Sequence, residues 1–403
     1  MEYITVGEAA RRWGVTERRV QTYCAEGRVP GAERFGRAWR IPAGAVKPDD
    51  PRRLRRNPRN DVAPSLPRGE CAALMPLMGS PFSPGRAREY AESLDPGPRR
   101  DVALSELAYF TGDAAEAARL ARPLLQATDG AARLSACLIF SYASLALGRI
   151  NDARATLGRV RGALGEKTVG GGLSPELGAA AAFIAQTASV LLHLPEPEGL
   201  PPATDALPLL PPGLRLFACY VSAHRLYLDG AYETSLGIVL GALAMTDVTY
   251  PIPAVYLHLV AVMDLMGLRR TAEAQEHLLA AWDIARPDGL IEPFGEHHGL
   301  LGGMLEAVIK PGWPKDFRRI IDITYHFSAG WRRVHNPATG DDVADNLTTT
   351  EFATCMLAAR GWTNQEIAEH MGFSVNRVKE CLSNAFRKLG ATSRKELGRF
   401  MLS

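Results

Sequence analysis

Between residues 346 and 403, apolar positions recur at intervals of three and four, interrupted by Gly and by Ser or Thr. Thr363 precedes Ile367, Ala368 and Met371; Gly372 follows; Ser374 precedes Val378, Leu382, Ala385, Phe386 and Leu389. A Ser or Thr ahead of such a run accepts bonds from the unpaired amides of a first helical turn. The spacing therefore predicts two short helices joined at Gly372, the second with an apolar stripe that packs inward. Its outer side carries Asn376, Arg377, Lys379, Glu380, Ser383, Asn384, Arg387 and Lys388. That is a helix-turn-helix arrangement with a polar, mostly basic face.

A second, shorter pattern opens the chain. Ala9, Ala10 and Trp13 predict a helix after Thr5, Gly14 a turn, and Val20, Tyr23 and Cys24 the inner side of a helix capped by Thr16. Val29-Pro30, Arg34-Phe35-Gly36-Arg37 and Trp39-Arg40-Ile41-Pro42 read as a small β-wing. Residues 47–86 hold many Pro and Gly and no sustained period, which predicts linker, with Arg52, Arg53, Arg55, Arg56 and Arg59 as a solvated charge run or a source of sequence-independent phosphate contacts.

From about Leu104 to Lys310 the chain is rich in Ala and Leu with helical periodicity. A unit of helix, Gly, helix recurs at Gly112 with Ala117, Gly148 with Ala153, Gly230 with Ser235, and Gly267 with Ala272. Helix pairs of this kind bury their apolar faces only against neighbours, so they stack into an array with a concave surface. Tyr220, His224, Tyr227, Tyr232, Tyr250, Tyr256 and His258 fall at helical spacing and read as core before pocket. Phe317, Ile320, Ile321, Ile323 and Phe327 predict one more helix, followed by a tether over 336–345.

Charge sharpens this division. Residues 1–60 hold 14 Lys and Arg against 7 Asp and Glu, and residues 346–403 hold 8 against 5. With a total of +2 over 403 residues, the middle is acidic, near −8. Two basic ends suit a polyanion and the middle does not. The six Cys have no CxxC pairing and read as thiols of a reducing cytoplasm. No apolar run approaches the roughly 20 residues of a membrane helix, and the first residues lack the apolar core of a signal peptide. GxxxxGK[ST], GxSxG and HExxH are missing, so no catalysis and no cofactor are expected. The adjacent His297 and His298 lack a spaced Asp or Cys partner, and no metal site is expected.

The C-terminal segment resembles the LuxR-type helix-turn-helix family. The resemblance rests on Leu347-Thr348 with Glu351, Gly361, Asn364 with Glu366-Ile367-Ala368, Ser374, Val378-Lys379, Lys388-Leu389 and Arg394. It implies that Lys379, Glu380 and Ser383 face base edges. Thr363, Asn364, Ser374, Asn376, Arg377 and Lys388 would sit near phosphates, with Gln365, Asn384 and Arg387 completing the DNA-facing set. Thr350 stands where the family usually has Arg, Arg377 where it has Thr, and Cys381 where it often has His. These departures and Glu380 mark where the DNA preference should differ. The N-terminal pattern resembles the MerR/excisionase-like winged helix-turn-helix. This implies DNA contacts from Thr16, Arg18, Gln21 and Thr22, beside Glu17, and from Arg37 and Arg40 on the wing. The middle resembles a degenerate tetratricopeptide array.

Together these readings predict a mainly α protein with five parts. A winged helix-turn-helix spans 1–48, a Pro/Arg-rich linker 49–95, a tetratricopeptide-like array 96–335, a tether 336–345, and a four-helix LuxR-type module 346–403. The expected function is a cytoplasmic, nucleoid-associated regulator of transcription that binds double-stranded DNA through the helix 375–389. It would act as a homodimer, with RNA polymerase a possible partner and an unknown peptide, protein or small-molecule effector on the array. The alternative is a nucleoid scaffold whose array binds a partner protein.

Overall fold

Short apolar periods and Ser or Thr caps become helices along most of the chain. The computed structural model describes residues 3–13, 16–25, 29–35, 38–42, 45, 71–165, 174–192, 200, 203–335 and 347–401, and its architecture is mainly α. The expected Arg run, the tether and Arg37 lie outside the described residues. The chain divides into two units, one up to residue 64 and one from residue 65.

In the first unit, β1 (Tyr3–Ile4), α1 (Val6–Trp13), α2 (Glu17–Ala25), β2 (Glu33–Phe35) and β3 (Ala38–Pro42) follow in order. Thr5 and Glu8 cap α1 reciprocally, at 3.2 and 2.8 Å. Ala9, Ala10, Trp13, Val20, Tyr23 and Cys24 form a core with Val29 and Ile41. The sheet is antiparallel in the order β1-β3-β2, with Ile4 opposite Ile41 and Arg34 opposite Trp39. The predicted wing is thus the β2–β3 hairpin. β1 was not predicted, because two residues carry no period.

The second unit is built from paired helices. These are α4 (Pro98–Phe110) with α5 (Ala114–Leu124), α6 (Gly130–Ala146) with α7 (Ile150–Gly165), α8 (Pro175–Leu191), α9 (Pro212–Leu228) with α10 (Tyr232–Ala244), and α11 (Pro251–Gly267) with α12 (Thr271–Ala285). Each turn closes the same way. The amides of Gly112, Gly148 and Gly230 bond to carbonyls three residues back, and the next amides reach five residues back. In the last pair these bonds belong to Arg269 and Arg270, not Gly267. Arg269 takes the left-handed conformation, φ +61°, that the three glycines take at +85°, +69° and +76°. The repeat is therefore in register with Ala274, which is buried, and not with Ala272, which is exposed.

The sequence places residues 49–95 in a linker, but from Cys71 onward the chain is core. Leu74, Met75, Leu77 and Met78 are buried. The Glu106 carboxylate accepts from the Leu77 and Met78 amides at 2.8 and 2.9 Å, and the Ser135 hydroxyl accepts from the Met75 amide at 2.9 Å. Burial pushes the Glu106 carboxyl up to about 8 although those two amides pull it down. α3 (Ala87–Ser93) follows, its start held by Asp288, which accepts from the Gly85 and Ala87 amides at 2.7 and 2.9 Å. Side chains distant in sequence satisfy this aperiodic backbone, so local pattern could not reveal it.

The sequence also predicts an open concave surface, and the structure fills it. α4, α6, α8, α9 and α11 pack in succession, and α13 (Glu292–His297) meets both α11 and α4. The rings of Phe110, Phe217, Tyr220 and Tyr256 pack between them. Glu296 accepts from the Tyr109 and Tyr256 hydroxyls, the latter at 2.7 Å. About 30 Å³ stays free beside Tyr142 and Thr187, room for one or two waters. His297 is buried against Tyr220, at 2.7 Å, and His298 against Glu306, at 2.9 Å. α14 (Pro314–His335), the helix predicted from Phe317 to Phe327, covers α6 and α13 and stacks Phe327 on Tyr142.

Candidate nucleic-acid interface

Four helices form the C-terminal module: α15 (Thr349–Ala359), α16 (Asn364–Met371), α17 (Val375–Leu389) and α18 (Arg394–Met401). Thr348 and Thr363 make full capping boxes with Glu351 and Glu366, and Ser374 accepts from the Arg377 amide at 3.2 Å. Gly372 closes α16 in the left-handed region, φ +66°. Val378, Leu382, Ala385 and Leu389 are buried, as the apolar stripe requires, and Phe386 is half-buried.

The outer side of α17 sorts the expected DNA-facing residues. Asn376, Lys379, Ser383 and Arg387 are exposed. Glu380 is exposed and pairs with Arg377 at 2.7 Å. Arg387 reaches the half-buried Asn384 at 3.4 Å. On α16 the exposed Gln365 bonds to Glu369 at 2.8 Å. Two of the expected DNA-facing residues have other tasks inside the module. Lys388 donates to Glu351 at 2.7 Å and ties the end of α17 to the first turn of α15. Burial pushes the Glu351 carboxyl up, but the bonds from Lys388 and Thr348 win and hold it below the usual range. Asn364 accepts from Arg394, which also donates to the Trp362 carbonyl. Cys381 is buried, so its substitution for a family His acts on packing and not on the DNA face.

The module docks on the helical array with its opposite side. Phe352 lies so close to Gly299 that a Cβ there would meet the ring at 2.3 Å, which only glycine avoids. The His370 ring bonds to the Gly302 carbonyl at 3.0 Å. Arg360 donates to the Tyr227 hydroxyl and to the Leu300 carbonyl, the latter at 3.4 Å, with its guanidinium 5.8 Å from the Tyr227 ring centre. Arg269 donates to the Gly361 carbonyl at 2.6 Å and the Arg360 carbonyl at 3.3 Å. Sequence reasoning named none of these contacts, because each joins residues that no local period relates.

Arg269 holds a backbone conformation that costs a non-glycine residue about 1–2 kcal/mol, and its side chain is what the module meets. Arg269→Gly should leave the array's own stability within about 1 kcal/mol, since relief of strain offsets added freedom in the unfolded chain. It should also loosen the module. Hydrogen exchange is expected to rise at residues 361–371 and stay unchanged in α11 and α12. Faster exchange in α11 and α12 instead would mean that Arg269 serves the array turn and not the dock.

In the first unit Thr16, Arg18, Gln21, Thr22 and Arg40 are exposed, and the Thr22 hydroxyl donates back to the Arg18 carbonyl at 3.0 Å. They lie on α2, at its start and on β3, as the N-terminal pattern predicts. Among the described residues no His, Cys, Asp and Glu cluster could hold a metal ion, and no helix is long and apolar enough to cross a membrane.

Residues 345–401 match the family described as bacterial regulatory proteins, luxR family. No match was found among curated proteins or among solved structures. The C-terminal module is thus a LuxR-type helix-turn-helix domain, and the chain carries the DNA-binding part of a transcription regulator.

Proposed function

We propose that this protein regulates transcription by placing α17 in the major groove of a specific operator. The observation that carries the reading is the side on which the module docks. α15, the turn at Gly361 and α16 face the array, while the polar side of α17 stays exposed. A capped recognition helix with free base-reading side chains is what major-groove entry needs. In this reading the first turns of α16 and α17, capped by Thr363 and Ser374, lie near the phosphate backbone.

A module of this size buries only about 600–1,000 Å² on DNA, so tight binding calls for a second half-site or a second reader. A homodimer would supply the first and the N-terminal unit the second. Two readers on one chain raise each other's effective concentration without new contacts. An effector on the array biases their engagement with DNA, and RNA polymerase is the partner that reads the outcome. In this reading the protein performs no chemistry and works in the cytoplasm, at the nucleoid.

Footprinting the full-length protein against one lacking residues 1–50 tests the two-reader arrangement. The truncated protein should protect a shorter or shifted site with weaker affinity. An identical footprint would favour a protein-contact role for the N-terminal unit over DNA binding. Binding that ignores sequence and falls steeply with salt would favour the scaffold reading over the regulator.

A further inference from the structure

Between α13 and α14 the chain makes one helical turn of unusual width. Leu305–Ile309 form a π-helix, and the Lys310 amide bonds to the Leu305 carbonyl, five residues back. Around it the reach is the ordinary four residues, from Ala307 to Gly303 at 3.0 Å and from Trp313 to Ile309 at 2.8 Å. One residue more than an α-turn needs is housed there, an arrangement that is rare and recurs at functional sites.

Opposite preferences meet at this turn. Leu305, Glu306 and Ala307 are good helix formers and favour ordinary α spacing. Pro311 opposes it, because it has no amide to offer the Ala307 carbonyl and its ring would crowd that carbonyl in an α-turn. Pro311 is exposed, so it acts through the backbone and not through packing. The wide form has a further cost. Glu306 is buried and bonds to His298 at 2.9 Å through one oxygen, while the other oxygen has no partner among the described residues. Buried polar atoms are nearly always satisfied.

The turn lies between the array's interior and the DNA-binding module. On its N-terminal side, α13 holds Glu296 against Tyr109 and Tyr256, and His297 against Tyr220. Gly302 and Gly303 then take the left-handed region in succession, φ +59° and +78°. A Cβ on them would meet two residues of the module, Arg360 Nη1 at 3.2 Å and Met371 Cγ at 3.4 Å. The turn itself packs on α16. Closing it to α spacing shifts the chain on one side by one residue, about 1.5 Å along the axis and about 100° around it. Packed interfaces convert such small shifts into a choice between two arrangements.

We propose that residues 298–309 are a two-state coupling element, in which the π-turn and an ordinary α-turn alternate and carry a change at α13 to the DNA-binding module. Whatever displaces α13 then shifts the populations of the two turns. The element deepens the proposed control through the array and rests on that reading for its meaning at DNA.

The test is hydrogen exchange on the full-length protein without DNA. Pro311→Ala restores the missing amide and favours the α-turn. It should slow exchange at residues 305–310 and raise it tenfold or more at residues 361–371, with α4 to α9 unchanged. Tyr220→Phe, which removes the hydroxyl bonded to His297, should raise exchange at 361–371 threefold or more in the native sequence and add nothing in the Pro311→Ala background. Should Pro311→Ala fail to fold by circular dichroism, Gly303→Ala carries the same expectation at 361–371, since it strains the left-handed backbone without a clash. The proposal falls if the folded variant exchanges like the parent at 361–371, or if exchange rises equally in α4 to α9. It also falls if Tyr220→Phe has no effect there, or acts equally in both backgrounds. DNA plays no part in this measurement, so its failure leaves the operator reading standing. A failed footprint likewise leaves the coupling element standing.

Discussion

Lys379→Ala is expected to abolish specific operator binding while the protein stays folded. Lys379 is exposed on the outer side of α17, with no partner among the described residues, so its removal disturbs no packing. A base contact in the major groove discriminates by about 1–3 kcal/mol, or roughly tenfold to a hundredfold in affinity. Two half-sites would count that loss twice. Gel shift at one fixed salt concentration is the measurement, with circular dichroism to confirm the fold. Unchanged affinity in a folded variant would remove α17 as the reading helix.

Arg377 makes a useful contrast to Lys379. It sits on the same face but is paired with Glu380, so part of its charge is already answered within the protein. A carboxylate on this face repels phosphate unless it accepts from cytosine N4 or is neutralised nearby. The pair does the second. Lys388 is drawn off the face altogether by Glu351. The free charge available to DNA from α17 is therefore concentrated at Lys379 and Arg387, fewer positions than the run of polar letters suggests.

What could be read ahead of the structure follows from the range of the interactions. The caps at Thr363 and Ser374 and the stripe from Val378 to Leu389 act within a few residues, and α16 and α17 followed directly. So did the β2–β3 hairpin, from its Trp-Arg-Ile-Pro run. The repeat was legible as a period but slipped at its last unit. Gly267 attracted the register, while the turn itself uses Arg269. Residues 71–80 gave no local signal because Glu106 and Ser135 hold them from a distance. The filled interior was hidden for a related reason. Stacked pairs imply an inner surface, and only the meeting of α13 with α4 closes it. On α17 the sequence identified the outer face, but not which of its members would be engaged inside the protein.

Arg360→Met should release the DNA-binding module from the array, and more so at higher pH. The substitution keeps an apolar stem but loses the bonds to Tyr227 and Leu300. It also removes the cation that lowers the pKa of Asp264, a fully buried residue of α11. Ser235 beside this carboxyl also lowers its pKa, more than Arg360 does, although the Ser235 hydroxyl donates to the Ala223 carbonyl. Burial pushes this carboxyl up from 3.8 to about 7 even with Arg360 present. A folded-state pKa above the unfolded one means that the folded state binds the extra proton. The contribution to stability is then fully present below about 4 and is lost as pH rises through about 7. Without Arg360 the folded pKa climbs further, so the window of loss extends upward. Loss of the Arg360 charge makes the ionised form of this buried carboxyl costlier, and protonation limits that cost in acid. Urea unfolding at pH 6 and pH 8 should therefore show a deficit relative to the parent protein that is larger at pH 8. An equal deficit at both values would take Asp264 out of the account and leave only the Tyr227 and Leu300 contacts. No deficit at either would show that the dock contributes nothing to holding the module, and control through the array would need another route.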